Sequence, residues 1–489
     1  MEFPPKIEQE YQKELIDNVR GFCLGNGLVL LPPVMEGEDK VRSNTCIQAP
    51  VSLFPTPFPK KLFNQANSVG LTFNELYANI ARDVEFIDEI LSEISPFDKF
   101  QASLWNLWKE IRSEICQPNQ LLLSRSDYLC NTSTDIQGNI RGISQVEFNT
   151  IASSFGGLSN KVNQLHQFLY NDIRYANLHP LLNNQLAENN TLNEIVDGFE
   201  HAHQVYKSGY LRSKHSPYIL FVVQENERNV FDQRLLEFEL SRRNIRIIRR
   251  TFAQLSQQAK LSEDNVLKVK GIEVSIVYYR AGYAPEDYKS ERDWRVRRMI
   301  EVSLAIKCPT LALQLAGCKK VQQVLVDEHV LRKNLNPAQI RKINKCFVDI
   351  LPFDQSEKGK IAHSIVADRE RCKKYVLKPQ REGGGNNIYK EDIVDFVNNL
   401  KDNELSSYIL MELIEPPGNL HNYLVRYTDD KLVKADVVSE LGIYGSVLFN
   451  NHTIIRNEHA GHLLRTKSRQ SDEGGVALGI SVIDECLLI

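Results

Sequence analysis

The sequence is short of most signatures that settle a function early. No apolar run approaches the roughly 20 residues a membrane span needs, so no transmembrane segment is expected. The opening stretch, Met1-Glu2-Phe3-Pro4-Pro5, has no basic segment followed by an apolar core, so no secretory leader is expected. The nine cysteines run from Cys23 to Cys486, are odd in number and include no Cys-x-x-Cys pair. That argues against a zinc site or a disulfide framework and for reduced thiols in a soluble, cytoplasmic protein. No G-x-G-x-x-G opens a helix, which argues against a dinucleotide-binding Rossmann unit, and no G-x-x-x-x-G-K-[ST] is present. H-E-x-x-H and a Ser-His-Asp arrangement are also missing. His201 and His203 lie two apart on a predicted helix, the wrong spacing to share a metal. A net charge of −3 over 489 residues gives no general attraction to nucleic acid. The basic runs Ser241–Arg246 and Arg295–Arg298 are expected to be solvated faces.

What is present is concentrated in Lys378-Pro379-Gln380-Arg381-Glu382-Gly383-Gly384-Gly385-Asn386-Asn387. An apolar run (Tyr375, Val376, Leu377) precedes it, and a helical pattern (Ile393, Phe396, Val397, Leu400) follows. Three glycines without Cβ atoms let backbone N–H groups approach an anion. Lys378 adds a point charge, and Glu382 a hard oxygen for a divalent cation. The combination suits a triphosphate carrying magnesium.

The length allows about three domain-sized units. The first third reads as helical, with stripes at Ile7, Tyr11, Leu15, Val19 and Phe22 (closed by Gly25), at Leu76 to Leu91, and at Leu104 to Ile115. The proline-rich Phe54–Pro59 is expected to be an extended connector. Strands are expected over 121–128 and 143–151, with Gln145, Glu147 and Asn149 on one face by period two. A further helix is expected to carry Leu158, Val162 and Leu165. From Tyr218 the pattern changes to apolar strand (219–223), helix (230–240), strand (245–248) and strand (274–279), a small doubly wound α/β unit. Glu227, Asn229 and Gln233 follow its first strand and Arg280 and Tyr283 its last, where open parallel sheets bind ligands. Strands are also expected over 408–411 and 437–447, the second bearing Glu440. Arg465 and Lys467 share a side if their segment is extended.

Glu147, Asn149 and Glu382 are oxygen donors of the kind magnesium takes beside phosphates. Lys319, Lys378 and Lys467 are suited to phosphate oxygens, Arg465 and Arg125 to bidentate carboxylates. A site for triphosphate, two glutamates and an anionic substrate needs several such cations.

Taken with Arg125-Ser126-Asp127-Tyr128, Glu147-Phe148-Asn149-Thr150, Ser154-Phe155-Gly156-Gly157 and Leu463–Lys467, the decapeptide resembles that of eukaryotic glutathione synthetases, with the motifs in that family's order over nearly the whole chain. The resemblance implies an α/β, permuted ATP-grasp fold with an inserted doubly wound substrate domain. Its expected parts are residues 1–213, a substrate domain over 214–334, and 335–489 including a glycine-rich lid at about 375–415. It implies a homodimer acting on small molecules, ATP with magnesium, γ-glutamylcysteine and glycine. Magnesium falls to Glu147, Asn149 and Glu382. ATP falls to Glu147, Lys319, Lys378, Pro379, Gln380, Arg381, Glu382, Gly383, Gly384, Gly385, Asn386, Asn387, Tyr389, Met411, Glu412, Leu413, Ile414, Glu440, Lys467 and Glu473. The dipeptide falls to Arg125, Ile151, Ala152, Ser153, Ser154, Glu227, Arg228, Asn229, Gln233, Arg280, Ala281, Gly282 and Tyr283, and the glycine end to Arg465, Val476 and Ala477. Arg465, Lys319 and Lys378 are the expected catalytic cations. Ala281 stands where animal members carry aspartate and Leu413 where they carry lysine, while Glu473 stands where other members have aspartate. A small-molecule kinase, a non-catalytic nucleotide binder and a relative using another amine, such as β-alanine, remain the alternatives.

Overall fold

The computed structural model describes residues 2–34, 42–134, 140–382, 385–401, 404–428 and 431–489. Gly383 and Gly384 of the glycine run lie outside the described residues. Helix Gln9–Asn26 runs past Gly25 and stops at Gly27, whose φ of 75° is left-handed; the N–H groups of Gly27 and Leu28 both return to the Cys23 carbonyl. Helices Lys60–Arg82, Val84–Ile94 and Lys99–Ile111 follow. Asp83 and Asp98 cap the last two by accepting from Phe86 N and Gln101 N. Their apolar faces (Phe73, Tyr77, Ile90, Trp108) form part of the largest buried core. The proline-rich connector is not free: Thr56–Phe58 pairs in parallel with Cys486–Leu488.

One sheet of thirteen strands among the described residues runs through the molecule. At one side lie four parallel strands, Ile247–Arg250, Tyr218–Val222, Ile272–Tyr279 and Ile306–Cys308. Ile219 to Val222 are fully buried, as expected for a strand covered on both faces. Lys307 pairs in parallel with Gln120, which continues the sheet into strand Gln120–Thr134. That strand lies antiparallel to Val433–Phe449, which in turn pairs with Ile454–Ser468. A separate four-stranded sheet, ordered Ile350–Leu351, Tyr408–Glu412, Tyr375–Pro379 and Ile388–Tyr389, carries the glycine-rich segment. The mixed α/β architecture agrees with the expected class. Among the described residues no helix is long and apolar enough to cross a membrane.

Two local expectations fail for physical reasons. Strand Ile140–Asn149 pairs Asp127 with Glu147 but Tyr128 with Gln145. The bulge at Val146 turns Gln145 to the opposite face, where it donates to Ser126 Oγ. The basic run at Arg295–Arg298 is not wholly solvated either. Arg297 is 0% exposed, pairs with Glu301 at 3.1 Å and lies 4.0 Å over the Tyr279 ring.

Candidate active site

Register places the charged residues of four strands on one face. Arg125 lies opposite Asn149 and Tyr444, Asp127 opposite Glu147 and Gly442, and Glu440 opposite Arg465. Cross-strand neighbours share a face, so these side chains are brought together by pairing alone. Arg465 and Lys467 fall on the same side of their extended strand, as their spacing requires.

The helix beginning at Lys319 and the strand Tyr375–Pro379 complete this face. Lys319 Nζ sits 2.9 Å from Glu147 and 3.7 Å from Glu382, so two carboxylates converge on one cation. Burial would raise the Glu147 carboxyl, but Lys319 and Lys378 outweigh it and hold it well below the ordinary range. Burial pushes Glu382 the other way, against the pull of Lys319 and with the repulsion of Glu147. Lys378 Nζ donates to Val146 O at 3.0 Å, the carbonyl that the bulge turns out. Burial lowers this ammonium to about 8. Asn149 Nδ2 donates to Arg125 O and Asp127 Oδ2, both at 3.0 Å, leaving Oδ1 for a cation. Arg465 pairs with Glu440 and with Asp127.

A second pocket lies at the carboxyl ends of the parallel strands. Arg280 Nη1 donates to the carbonyls of Ala152 (2.6 Å) and Ser153 (3.0 Å), and Nη2 to Ser154 Oγ (2.5 Å) and Glu227 (3.3 Å). Burial works against its charge, but Tyr278, Glu227 and Asp232 more than restore it. Gln233 donates to Glu227 and accepts from Arg249, while Tyr283 donates to Gln224. Ile151 is buried nearby in sequence, and Ala152 and Phe155 hold φ of 52° and 74°, costly for side chains with a Cβ. Gly282 takes a φ of 97° beside buried Ala281, with its N–H held by Asp287. Asn229 Nδ2 and Oδ1 and Arg280 Nε are buried without a partner among the described residues. Unpaired groups of this kind are able to bond a ligand.

The side next to the four-stranded sheet is less uniform. Val348, Ile350, Val376, Ile409 and Met411 form an apolar floor, with Tyr389, Leu413 and Ile414 packed against it. Glu412 N and Leu413 N are taken by the carbonyls of Asp349 and Lys374, which leaves Ile414 N–H as a backbone donor. Gly385 N donates to Glu473 at 3.0 Å, Asn387 to Tyr389 OH, and Lys467 to the Asp472 carbonyl. Gln380 accepts from Lys320 N and donates to Ser407 O, while Arg381 pairs with Asp98. Both side chains therefore have partners within the protein and brace the segment. Glu412 pairs with Arg141, and Arg228 donates to the carbonyls of Leu31 and Ala477.

A family model for the eukaryotic glutathione synthase ATP-binding domain matches residues 9–488. The chain belongs to that family. It is 39% identical over 492 residues to a glutathione synthetase of Dictyostelium discoideum, covering 98% of this chain and all of that one. It is 36% identical to the human glutathione synthetase, covering 98% and 97%. A glutathione synthetase large chain from Schizosaccharomyces pombe is 36% identical, with 97% of each covered. The fold is similar to a solved glutathione synthetase-like effector from Globodera pallida in its apo form (TM-score 0.75, 21% identity, 99% and 98% covered).

Three residues of this glutathione synthase site carried no role in the sequence reading. Asp232 accepts from the N–H groups of Phe155, Gly157 and Leu158 and so pins the strained loop; its partners lie about 75 residues away, with no local signal. Tyr444 donates to the Ser154 carbonyl. Asp127 was visible, two residues from Arg125 and therefore on its face.

Proposed function

We propose that the chain is a glutathione synthetase, an ATP-dependent ligase that joins γ-glutamylcysteine to glycine and releases ADP and phosphate. The observation that carries this reading is the meeting of Glu147, Lys319, Glu382 and Lys378 beside a buried, anion-seeking pocket built on Arg280 and Asn229. A carboxylate resists attack by an amine, so it is first activated. A carboxylate oxygen of the dipeptide attacks the γ-phosphorus of ATP, a P–O bond forms, and the bond to ADP breaks. The glycine amine then attacks the acyl carbon and loses its proton, and phosphate leaves.

Lys319 and Lys378 neutralise charge on the transferred phosphoryl group, where positioning and cations do most of the work. Arg465 steadies the carboxylates at the glycine end, near Val476 and Ala477. The apolar floor under Leu413 and Ile414 suits a purine, with Ile414 N–H as donor. Glu147, Glu382 and Asn149 Oδ1 fit magnesium, because two carboxylates already converge on a cation and the donor set is all oxygen. Bound there, the ion would supply further neutralisation of phosphate charge. Residues 214–334 hold the dipeptide in this reading, in a cytoplasmic homodimer.

The test is phosphate release from magnesium-ATP with γ-glutamylcysteine and, separately, no amine, glycine, serine or β-alanine. Release that needs glycine, with glutathione formed in equal amount, is the expected result. Turnover without an amine would indicate a kinase, and a preference for β-alanine or serine a different amine.

A further inference from the structure

Asp127 has no part in the chemistry above, yet its carboxylate is fully buried and accepts four N–H bonds from three side chains. Arg125 gives two, Nε at 2.7 Å and Nη2 at 2.8 Å; Asn149 Nδ2 and Arg465 Nη2 give one each at 3.0 Å. The donors come from three strands, and Arg465 is 338 residues away in sequence. A core ion pair would need one cation. Here one carboxylate spans two guanidiniums and an amide, and each of the three makes a further contact in the site. Arg125 Nη1 reaches Ser154 O at 3.3 Å, Arg465 Nη2 itself also meets Glu440, and Asn149 Nδ2 also donates to Arg125 O, with its Oδ1 outside these bonds.

The opposite strand is shaped around this carboxylate. Gly442 pairs with Asp127, and a Cβ there would stand 2.7 Å from Asp127 Oδ1 and 2.8 Å from Arg125 Cδ. The backbone is bare where the Arg125–Asp127 pair crosses it.

We propose that Asp127 is a positioning residue that holds Arg125, Arg465 and Asn149 in mutual register, fixing the dipeptide, the glycine end and a metal-facing oxygen relative to one another. The proposal rests on the ligase reading for the identity of those ligands. Charge-assisted bonds of this kind are directional, and a misplacement of about 1 Å at a positioning group costs on the order of a hundredfold in rate.

The test uses Asp127→Asn in the full chain, which keeps size but replaces an acceptor oxygen with a donor. kcat should fall by about a hundredfold, KM for dipeptide and glycine should rise by about tenfold, and ATP affinity by calorimetry should stay within about twofold. Arg465→Ala and the double variant separate positioning from packing. Because Asp127 acts through Arg465 among its three donors, the double variant should lose less than the product of the two single losses; losses that multiply in full would overturn the proposal. Should Asp127→Asn fail to fold, Gly442→Ala keeps the carboxylate and displaces it. It should show the same rise in dipeptide and glycine KM with ATP affinity kept, and wild-type kinetics there would refute the idea. If the wild-type protein binds dipeptide but forms no amide bond, the ligase reading falls. Calorimetry still decides this one: dipeptide affinity lost in Asp127→Asn supports it, and affinity kept overturns it.

Discussion

On the sheet face around Asp127 the charged side chains meet opposite charges or amides of the same chain, whereas in the second pocket, where the Arg280 Nη atoms are paired, Asn229 Nδ2 and Oδ1 and Arg280 Nε are buried with no partner among the described residues. Both regions are charged and largely buried, so composition alone would not separate them. The difference is in what the free protein has already satisfied. A network that bonds to itself is rigid before ligand arrives and serves to orient; a pocket with orphaned donors and acceptors stores a desolvation penalty that a ligand relieves. In the proposed ligase the first region aligns the reacting groups and the second captures the dipeptide.

The largest effect that would break this comparison lies at the carboxylates proposed to hold magnesium. Glu147→Gln removes the charge that Lys319 meets at 2.9 Å. Turnover should fall on the order of a hundredfold or more, the scale of losing a main electrostatic contact. The variant should also need more magnesium for half-maximal rate. Near-normal turnover at limiting magnesium would remove Glu147 from the metal site and leave it a structural partner of Lys319.

Arg280→Ala comes next. It strips donors from the carbonyls of Ala152 and Ser153 and from Ser154 Oγ as well as from the ligand. Dipeptide affinity should drop by about 2–3 kcal/mol, the worth of charged hydrogen bonds, with ATP affinity unchanged by calorimetry. ATP affinity lost with dipeptide affinity kept would reverse the division between the two pockets.

How much of this was legible in the sequence follows the distance between partners. The segment from Lys378 to Asn387 is contiguous, so its glycines, lysine and glutamate announced themselves together. Glu147 and Asn149 were legible through period two, and Arg465 with Lys467 likewise. The same rule misplaced Gln145, because a bulge adds a residue that periodicity does not count. Asp232 gave no signal because its bonds reach a loop folded against it from another element. The contact of Gly385 with Glu473, 88 residues apart, was equally silent; it shows that glutamate, in place of aspartate, reaches the loop end. Arg297 read as a surface cation in a basic run. Only the placement of Glu301 and Tyr279 in three dimensions makes a buried guanidinium tolerable there.

The smallest expected effect gives the sharpest contrast, because it compares one substitution at two asparagines. Asn229 is 4% exposed and neither side-chain polar atom has a partner among the described residues; Asn149 is 8% exposed and its amide serves both Arg125 O and Asp127. Leucine branches at Cγ as asparagine does, though its methyl groups are bulkier, and it has no polar atom. Asn229→Leu should therefore leave the free protein as stable as before or more so, by up to about 1 kcal/mol, since it deletes two unsatisfied groups. Asn149→Leu should destabilise by about 1–3 kcal/mol, since it leaves a carbonyl and a buried carboxylate short of a donor. Thermal unfolding of both variants without ligand measures the sign directly. Dipeptide affinity should fall about tenfold in Asn229→Leu despite its stability, separating binding from folding. If both variants lose stability alike, Asn229 is part of a packed network and the contrast between the two regions fails.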